Sequence, residues 1–430
     1  MKKLNLAGEW RLRAEFLDVG PERVAEVAAK PDGPFTVYHG KSPNAFPAKT
    51  GFMRAQVPCD VITPLVENGV IEEPLIKTNT KNCLWIRDLS WWFFKEFEVT
   101  EEMLQEDVIR LNIEMLDFKA DIILNYRPMA RHTNAFCPFC EDVKRFLKPG
   151  TNTLVIRLTS GIEDQYPKDA ISFYCASDNA ICDQRVYLRK PQFTYGWDWC
   201  QPVPTCGIGR AIYLEAFSGA KIITSRMDTC FLQDGNAEVE FFFELDKTNM
   251  TASAEAVLEY ELLFDGKPVY QGRQELLLVG GLNYAQEKVE LQQAKLWWPN
   301  GYGEQNLYEL HARCTCMGNT VEDRVKKVGV RTVEIDHSKL SDGTRNFFFR
   351  VNGVRVFCKG GNWVPTDSVY LRTPDSTYRT LVEEGKAAGF TMFRMWGGGT
   401  YEPDCFYEYC SECGILLMHD FMYALSLIHI

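Results

Sequence analysis

The stretch VNGVRVFCKGGNWVPTDSV (351–369), followed by TMFRMWGGGTYEP (391–403) and ILLMHDFMYA (415–424), decides the fold. Apolar runs alternate there with helix-period segments. Tyr378, Leu381, Val382, Gly385 and Ala388 recur at helical spacing between the first two runs. Thr373 reads as the helix cap, with Pro374 in the first turn, where spare donors suit proline, and Gly389 as the stop. A second helix is predicted from about Glu402 to Cys413, ending at Gly414. The predicted strands are Val354–Cys358, Thr391–Trp396 and Ile415–Met418. Repeated β-loop-α units predict a parallel array, which gathers chemistry at the carboxyl ends of its strands. The loops there carry Asn362, Trp363, Asp367, Arg394, Trp396 and Asp420.

Upstream the rhythm is β. Residues 1–217 hold short apolar or alternating runs such as Trp91–Val99, Val108–Ile113, Ala120–Leu124, Thr153–Leu158 and Ala211–Glu215, which predict an antiparallel sandwich. Residues 218–333 hold longer, evenly spaced strands: Ala237–Leu245, Ala254–Phe264, Lys267–Leu278, Tyr284–Leu291, Leu307–Cys316 and Thr320–Val330. DGN (234–236) and DGK (265–267) mark turns between them. That spacing fits an immunoglobulin-like sandwich. Residues 334–430 form the β/α region.

Composition narrows the function classes. Of 430 residues, 46% are hydrophobic and 13% aromatic, ample for several packed cores. A net charge of −11 argues against nucleic acid or an anionic membrane as partner. The start, MKKLNLAGEWRL, has no apolar stretch of signal-peptide length, and no run is long enough to span a bilayer. Fifteen cysteines without a signal predict free thiols in a reducing, cytoplasmic setting.

The small motifs favour no cofactor. Gly397–Gly399 precede a helix, but Glu402 stands where a dinucleotide fingerprint needs glycine, so a tight turn is the expected role. Cys137/Cys140 and Cys410/Cys413 are CxxC pairs without matched partners, although Cys405 and His419 lie near the second pair; no metal site is expected. GxSxG is absent. RKPQFTYGWDWCQP (189–202) concentrates Arg189, Lys190, Tyr195, Trp197, Asp198 and Trp199 in one loop. It suits either a flat aromatic platform with a carboxylate, as a sugar ring needs, or an aromatic plug between domains. Arg394 could grip a hydroxyl or make a structural ion pair.

Taken in order, GEWRL (8–12), VPCDVITPLVENGVIEEP (57–74), LDFKADIILN (116–125), RKPQFTYGWDW (189–199), LWWPNGYGEQNLYEL (296–310), VGVRTVEI (328–335), KGGNWVPTDS (359–368), FRMWGGGTYE (393–402) and HDFMYA (419–424) resemble the N-terminal portion of the β-mannosidases of glycoside hydrolase family two. The resemblance implies a jelly-roll β-sandwich, an immunoglobulin-like β-sandwich and the first three βα units of a TIM barrel. It implies a retaining hydrolase that releases terminal β-linked mannose from oligosaccharides with two glutamates and no cofactor. Trp197 and Asp198 match the loop that enters the sugar site. Arg394 and Trp396 match the pocket wall, as do Asn362, Trp363 and Asp367 less closely.

The family's acid/base glutamate follows a fourth strand in an Asn-Glu dipeptide, and this sequence contains no such dipeptide. Both catalytic glutamates are therefore expected to lie beyond the chain, leaving an inactive fragment with a junction at LSLIHI (425–430). CQPVP (200–204) also departs from the family's glycine-rich continuation. With open strand edges, residues beyond about 335 are expected to be trimmed first by protease. The different-class alternative is a non-catalytic carbohydrate-binding or scaffolding fragment; another β-glycosidase of the same family is the third reading. The oligomeric state is left open.

Overall fold

Three short strands, Gly360–Trp363, Met392–Met395 and Leu416–His419, run parallel, with Asn362 opposite Arg394 and Arg394 opposite Met418. They belong to a computed structural model that describes residues 1–17, 52–164, 185, 187–248 and 252–423; the tail at 425–430 lies outside these residues. The first parallel strand is not the expected one. Val354–Val356 instead closes an antiparallel meander with Phe348–Val351 and Val333–Asp336. Gly360–Trp363 reads locally as loop because glycine and asparagine are poor strand formers. Close approach explains the glycine: a Cβ on Gly360 would lie 1.7 Å from the Met392 carbonyl oxygen. The amides of Thr391 and Met392 donate to Lys359 O at 2.7 and 3.1 Å and fix the register.

The helices are Asp375–Ala387 and Asp404–Cys413. Each is capped by an extended proline, Pro374 or Pro403, so Pro374 stands at the cap and not in the first turn. A proline there presents no amide needing a partner. Asp375 and Asp404 follow at the positive helix ends. Gly414 takes the left-handed conformation (φ 76°) that ends the second helix. The inner faces, Tyr378 and Val382 on one helix and Phe406 and Cys410 on the other, pack on Trp363, Phe393 and Met395.

The upstream regions are β-sandwiches. In the first, a six-stranded antiparallel sheet is ordered Met53–Val57, Gly8–Phe16, Leu89–Val99, Gly150–Thr159, Lys119–Leu124, Arg127–His132. A four-stranded sheet of Lys2–Asn5, Ile212–Phe217, Val108–Ile113 and Phe139–Asp142 accompanies it. Trp10, Trp91, Phe93, Leu111 and Leu214 share one core contributed by both sheets. In the second region, Asn236–Lys247 buries alternate residues, as a strand with one wet face should. Phe241, Phe243, Leu258, Leu262 and Leu310 form its core. The expected strand Thr320–Val330 is broken into Asn319–Glu322 and Lys326–Val328. Asp323, at the break, accepts a 2.5 Å hydrogen bond from the Ser225 hydroxyl. Among the described residues no helix is long and apolar enough to cross a membrane.

Both sandwiches hold the parallel unit. Trp297, 2% exposed, packs with Val351, Val356 and Leu416, and its Nε1 donates to Ser411 O at 2.7 Å. The Asn300 side chain donates to Lys386 O (2.9 Å) and Phe390 O (3.0 Å), satisfying carbonyls at and beyond a helix end. On the other side, Arg372 bridges to Glu73 of the first sandwich at 2.9 and 3.0 Å.

Candidate functional site

The loop 189–200 is shaped by local chemistry. The Gln192 side-chain amide donates to the carbonyls of Arg185, Leu188 and Lys190 at 3.0–3.2 Å and knots the chain before the short turn Gln192–Tyr195. Gly196 follows with φ 103°, a conformation costly for any residue with a Cβ. That turn sends Trp197 inward, 7% exposed, and leaves Asp198 and Trp199 facing out. Beneath them Phe118, Ile162, Phe193, Tyr195 and Tyr370 form a small core shared by the first sandwich and the parallel unit.

The loop meets the parallel unit through aromatic edges. Trp396 lies 5.1 Å from Trp197 at 60° and 6.1 Å from Trp199 at 79°. The Arg185 guanidinium packs 5.0 Å from the Trp197 ring and donates to Gly196 O at 2.6 Å. Trp197 is thus a backing element, and Trp199 (37% exposed) and Trp396 offer the accessible aromatic surface. The glycine run serves this arrangement: a Cβ on Gly398 would lie 2.1 Å from the Trp396 ring. Arg189 also reaches across, donating to Met422 O at 3.1 Å and packing against Phe136 and Tyr423.

Strand alternation sorts the other candidates. Asn362 and Arg394 are register partners on one face, where Arg394 donates to Asn362 Oδ1 (3.3 Å) and Asp420 Oδ2 (2.5 Å). The Gly397 amide also donates to Asp420 Oδ2 at 3.3 Å. Trp363 faces the helices, buried among Phe393, Phe406 and Tyr378, with Nε1 donating to Glu402 Oε1 at 2.9 Å. Asp367 accepts from Arg372 Nε at 2.8 Å and belongs to the Glu73 bridge between domains. The structure therefore brings Trp197 against Trp396 and Asn362 against Arg394, leaves Asp198 exposed beside Trp197 in the loop, and sets Trp363 and Asp367 elsewhere. Trp199 and Asp420, which stand in the aromatic loop and the strand-end loops of the sequence but are not among the residues matched to the family's sugar site, also fall here, and no sequence signal marks Arg185.

Cys410 and Cys413 sit in the helix-side core, where burial pushes both thiols up. His419 bonds the Tyr407 hydroxyl (3.1 Å) and Asp420 O (2.7 Å). Among the described residues no group of three His, Cys, Asp or Glu side chains is placed to hold a metal ion.

Burial raises the Glu402 carboxyl above its ordinary 4.5, outweighing the Trp363 hydrogen bond. The folded state then holds the proton more tightly than the unfolded one. That stabilisation is fully present below the unfolded value and is lost as pH rises through the folded one. Relative to Glu402→Gln, the wild-type chain is expected to lose melting temperature as pH rises above 4.5. Parallel pH profiles of the two proteins would refute this.

Two family models match the chain: the galactose-binding domain-like module of glycosyl hydrolase 2 over residues 38–210, and glycosyl hydrolases family 2 over residues 221–331. The chain belongs to glycosyl hydrolase family 2. Within this family it is similar to β-mannosidases. β-Mannosidase B of Aspergillus niger is 31% identical over 381 residues, covering 86% of this chain and 43% of that protein. The β-mannosidase of Capra hircus is 28% identical, covering 87% of this chain and 43% of its own. The β-D-mannosidase structure from Dictyoglomus thermophilum superposes with a TM-score of 0.84 at 29% identity, over 98% of this chain and 47% of that one. An exo-chitosanase from Amycolatopsis orientalis shares the fold at 18% identity and TM-score 0.69, over 98% of this chain and 44% of its own. The family 2 chain thus spans under half the length of these relatives.

Proposed function

We propose that this chain supplies the sugar-holding wall of a retaining β-mannosidase, which releases terminal β-linked mannose from oligosaccharides. The carrying observation is the Trp199–Trp396 surface set beside the Arg394–Asp420 pair. The apolar face of a pyranose lies on the indoles, and Asp198 and Arg394 take its hydroxyls. In this reading residues 1–217 are a jelly roll, 218–333 an immunoglobulin-like sandwich, and 334–430 the first three units of a (β/α)₈ barrel. Thirteen free thiols among the described residues support a reducing, cytoplasmic setting.

Retention needs a nucleophile and an acid/base carboxyl about 5 Å apart. The sequence has no Asn-Glu dipeptide, and Glu402 is turned into the helix-side core. The 430-residue polypeptide is therefore expected to bind methyl β-mannoside without hydrolysing an aryl β-mannoside. Calorimetry against manno-, galacto- and glucurono-configured glycosides tests the substrate class. Equal or tighter binding of a non-manno sugar overturns that assignment, and turnover by the purified chain overturns the division of labour.

A further inference from the structure

A buried ion pair with a tyrosine hydroxyl on it lies under the tryptophan wall. Lys190 Nζ is 3.0 Å from Asp117 Oδ1, and both side chains have zero exposure. The Tyr370 hydroxyl donates to Asp117 Oδ2 at 3.0 Å. Lys190 also donates to Thr205 O at 2.6 Å. These contacts tie three separate pieces of the chain. Asp117 belongs to the small sheet of Cys59–Asp60, Gly207–Ile208 and Leu116–Asp117. Lys190 and Thr205 are the two ends of the segment that carries Trp197 and Trp199, so their bond closes that segment at its base. Tyr370 comes from the parallel unit, in the turn Tyr370–Arg372.

The trio leads directly to the wall. The Tyr370 ring meets Phe193 edge-on at 5.7 Å, Phe193 meets Trp199 at 5.3 Å, and Trp199 meets Trp396. A buried ion pair contributes little net stability compared with well-packed apolar residues. The hydrogen bonds from Lys190 to Thr205 O and from Tyr370 to Asp117 Oδ2 are nevertheless directional, whereas apolar contacts allow neighbouring segments to slide. The surrounding Phe118, Phe193 and Leu188 already supply the apolar packing.

We propose that Asp117, Lys190 and Tyr370 are positioning residues that set the Trp197–Trp199 loop against Trp396. The assignment rests on the sugar-wall reading for its purpose but is read out without sugar. The signal is the near-ultraviolet circular dichroism that Trp396→Phe removes from the wild-type chain, which reports the coupled indoles. The neutral pair Asp117→Leu with Lys190→Met is expected to keep the melting temperature within a few degrees. It should lose about half or more of that signal and bind methyl β-mannoside about tenfold more weakly. Tyr370→Phe, which deletes one hydroxyl, should fold and lose part of the signal. A folded double variant with the full signal overturns the assignment, as does Tyr370→Phe with the full signal if the double variant does not fold. A wild-type chain that shows the signal but binds no β-mannoside overturns the sugar reading and leaves the positioning role standing.

Discussion

Gly360→Ala is expected to detach the parallel unit. Its Cβ would fall 1.7 Å from Met392 O, a backbone atom that no rotamer change can move aside. Relief requires the two strands to separate, which breaks the paired bonds from the Thr391 and Met392 amides to Lys359 O. Backbone strain with loss of buried hydrogen bonds belongs to the large class of mutational effects, about 3 kcal/mol or more. Limited proteolysis should then cut within 334–423 while the sandwiches stay protected. Gly361→Ala is the control: its Cβ meets only Phe390 Cε2, at 3.9 Å, and it should cost within about 1 kcal/mol. A Gly360→Ala protein as resistant as wild type would mean that this strand pairing is not as tight as described.

Trp396→Ala should remove β-mannoside binding more completely than any other single change at the wall. Among the described residues Trp396 is the one indole that touches both Trp197 and Trp199, at 5.1 and 6.1 Å, so its loss takes a stacking face and unpins the loop. The expected loss of affinity is at least about tenfold, or ~1.4 kcal/mol. Arg394→Met should also weaken binding, because it removes the cation held by Asp420 and Asn362. Trp363→Phe should leave affinity near wild type, since that ring faces the helices. Calorimetric titration of the three variants separates these cases. Equal losses in Trp363→Phe and Trp396→Ala would contradict the division of the two faces.

The open edges of the parallel unit suggested a region shed first by protease. Its docking qualifies that expectation. Trp297 and Asn300 seat the helix ends, and the Arg372–Glu73 bridge holds the opposite side. Cleavage beyond residue 335 in the wild type must therefore compete with contacts that an isolated three-strand sheet would lack.

The β-rich character of the first two regions, the β/α rhythm of the third and the run of aromatic residues in the loop are legible in the amino-acid sequence alone. These depend on patterns of period two and 3.6, which are local. The spans of both helices were legible from Gly389, Gly414 and their apolar spacing. That Gly360–Trp363 is a strand emerges only on folding, because the Met392 backbone that demands a glycine is remote in sequence. Only on folding, too, do Trp363 and Asp367 come to serve the core and the domain bridge, while Trp199 and Asp420 join the wall. A side chain's residue type is written locally, but the face it presents and the partner it meets are fixed by long-range pairing. The stretch that announces the fold thus names most of the wall's residues, and packing selects which of them share a surface.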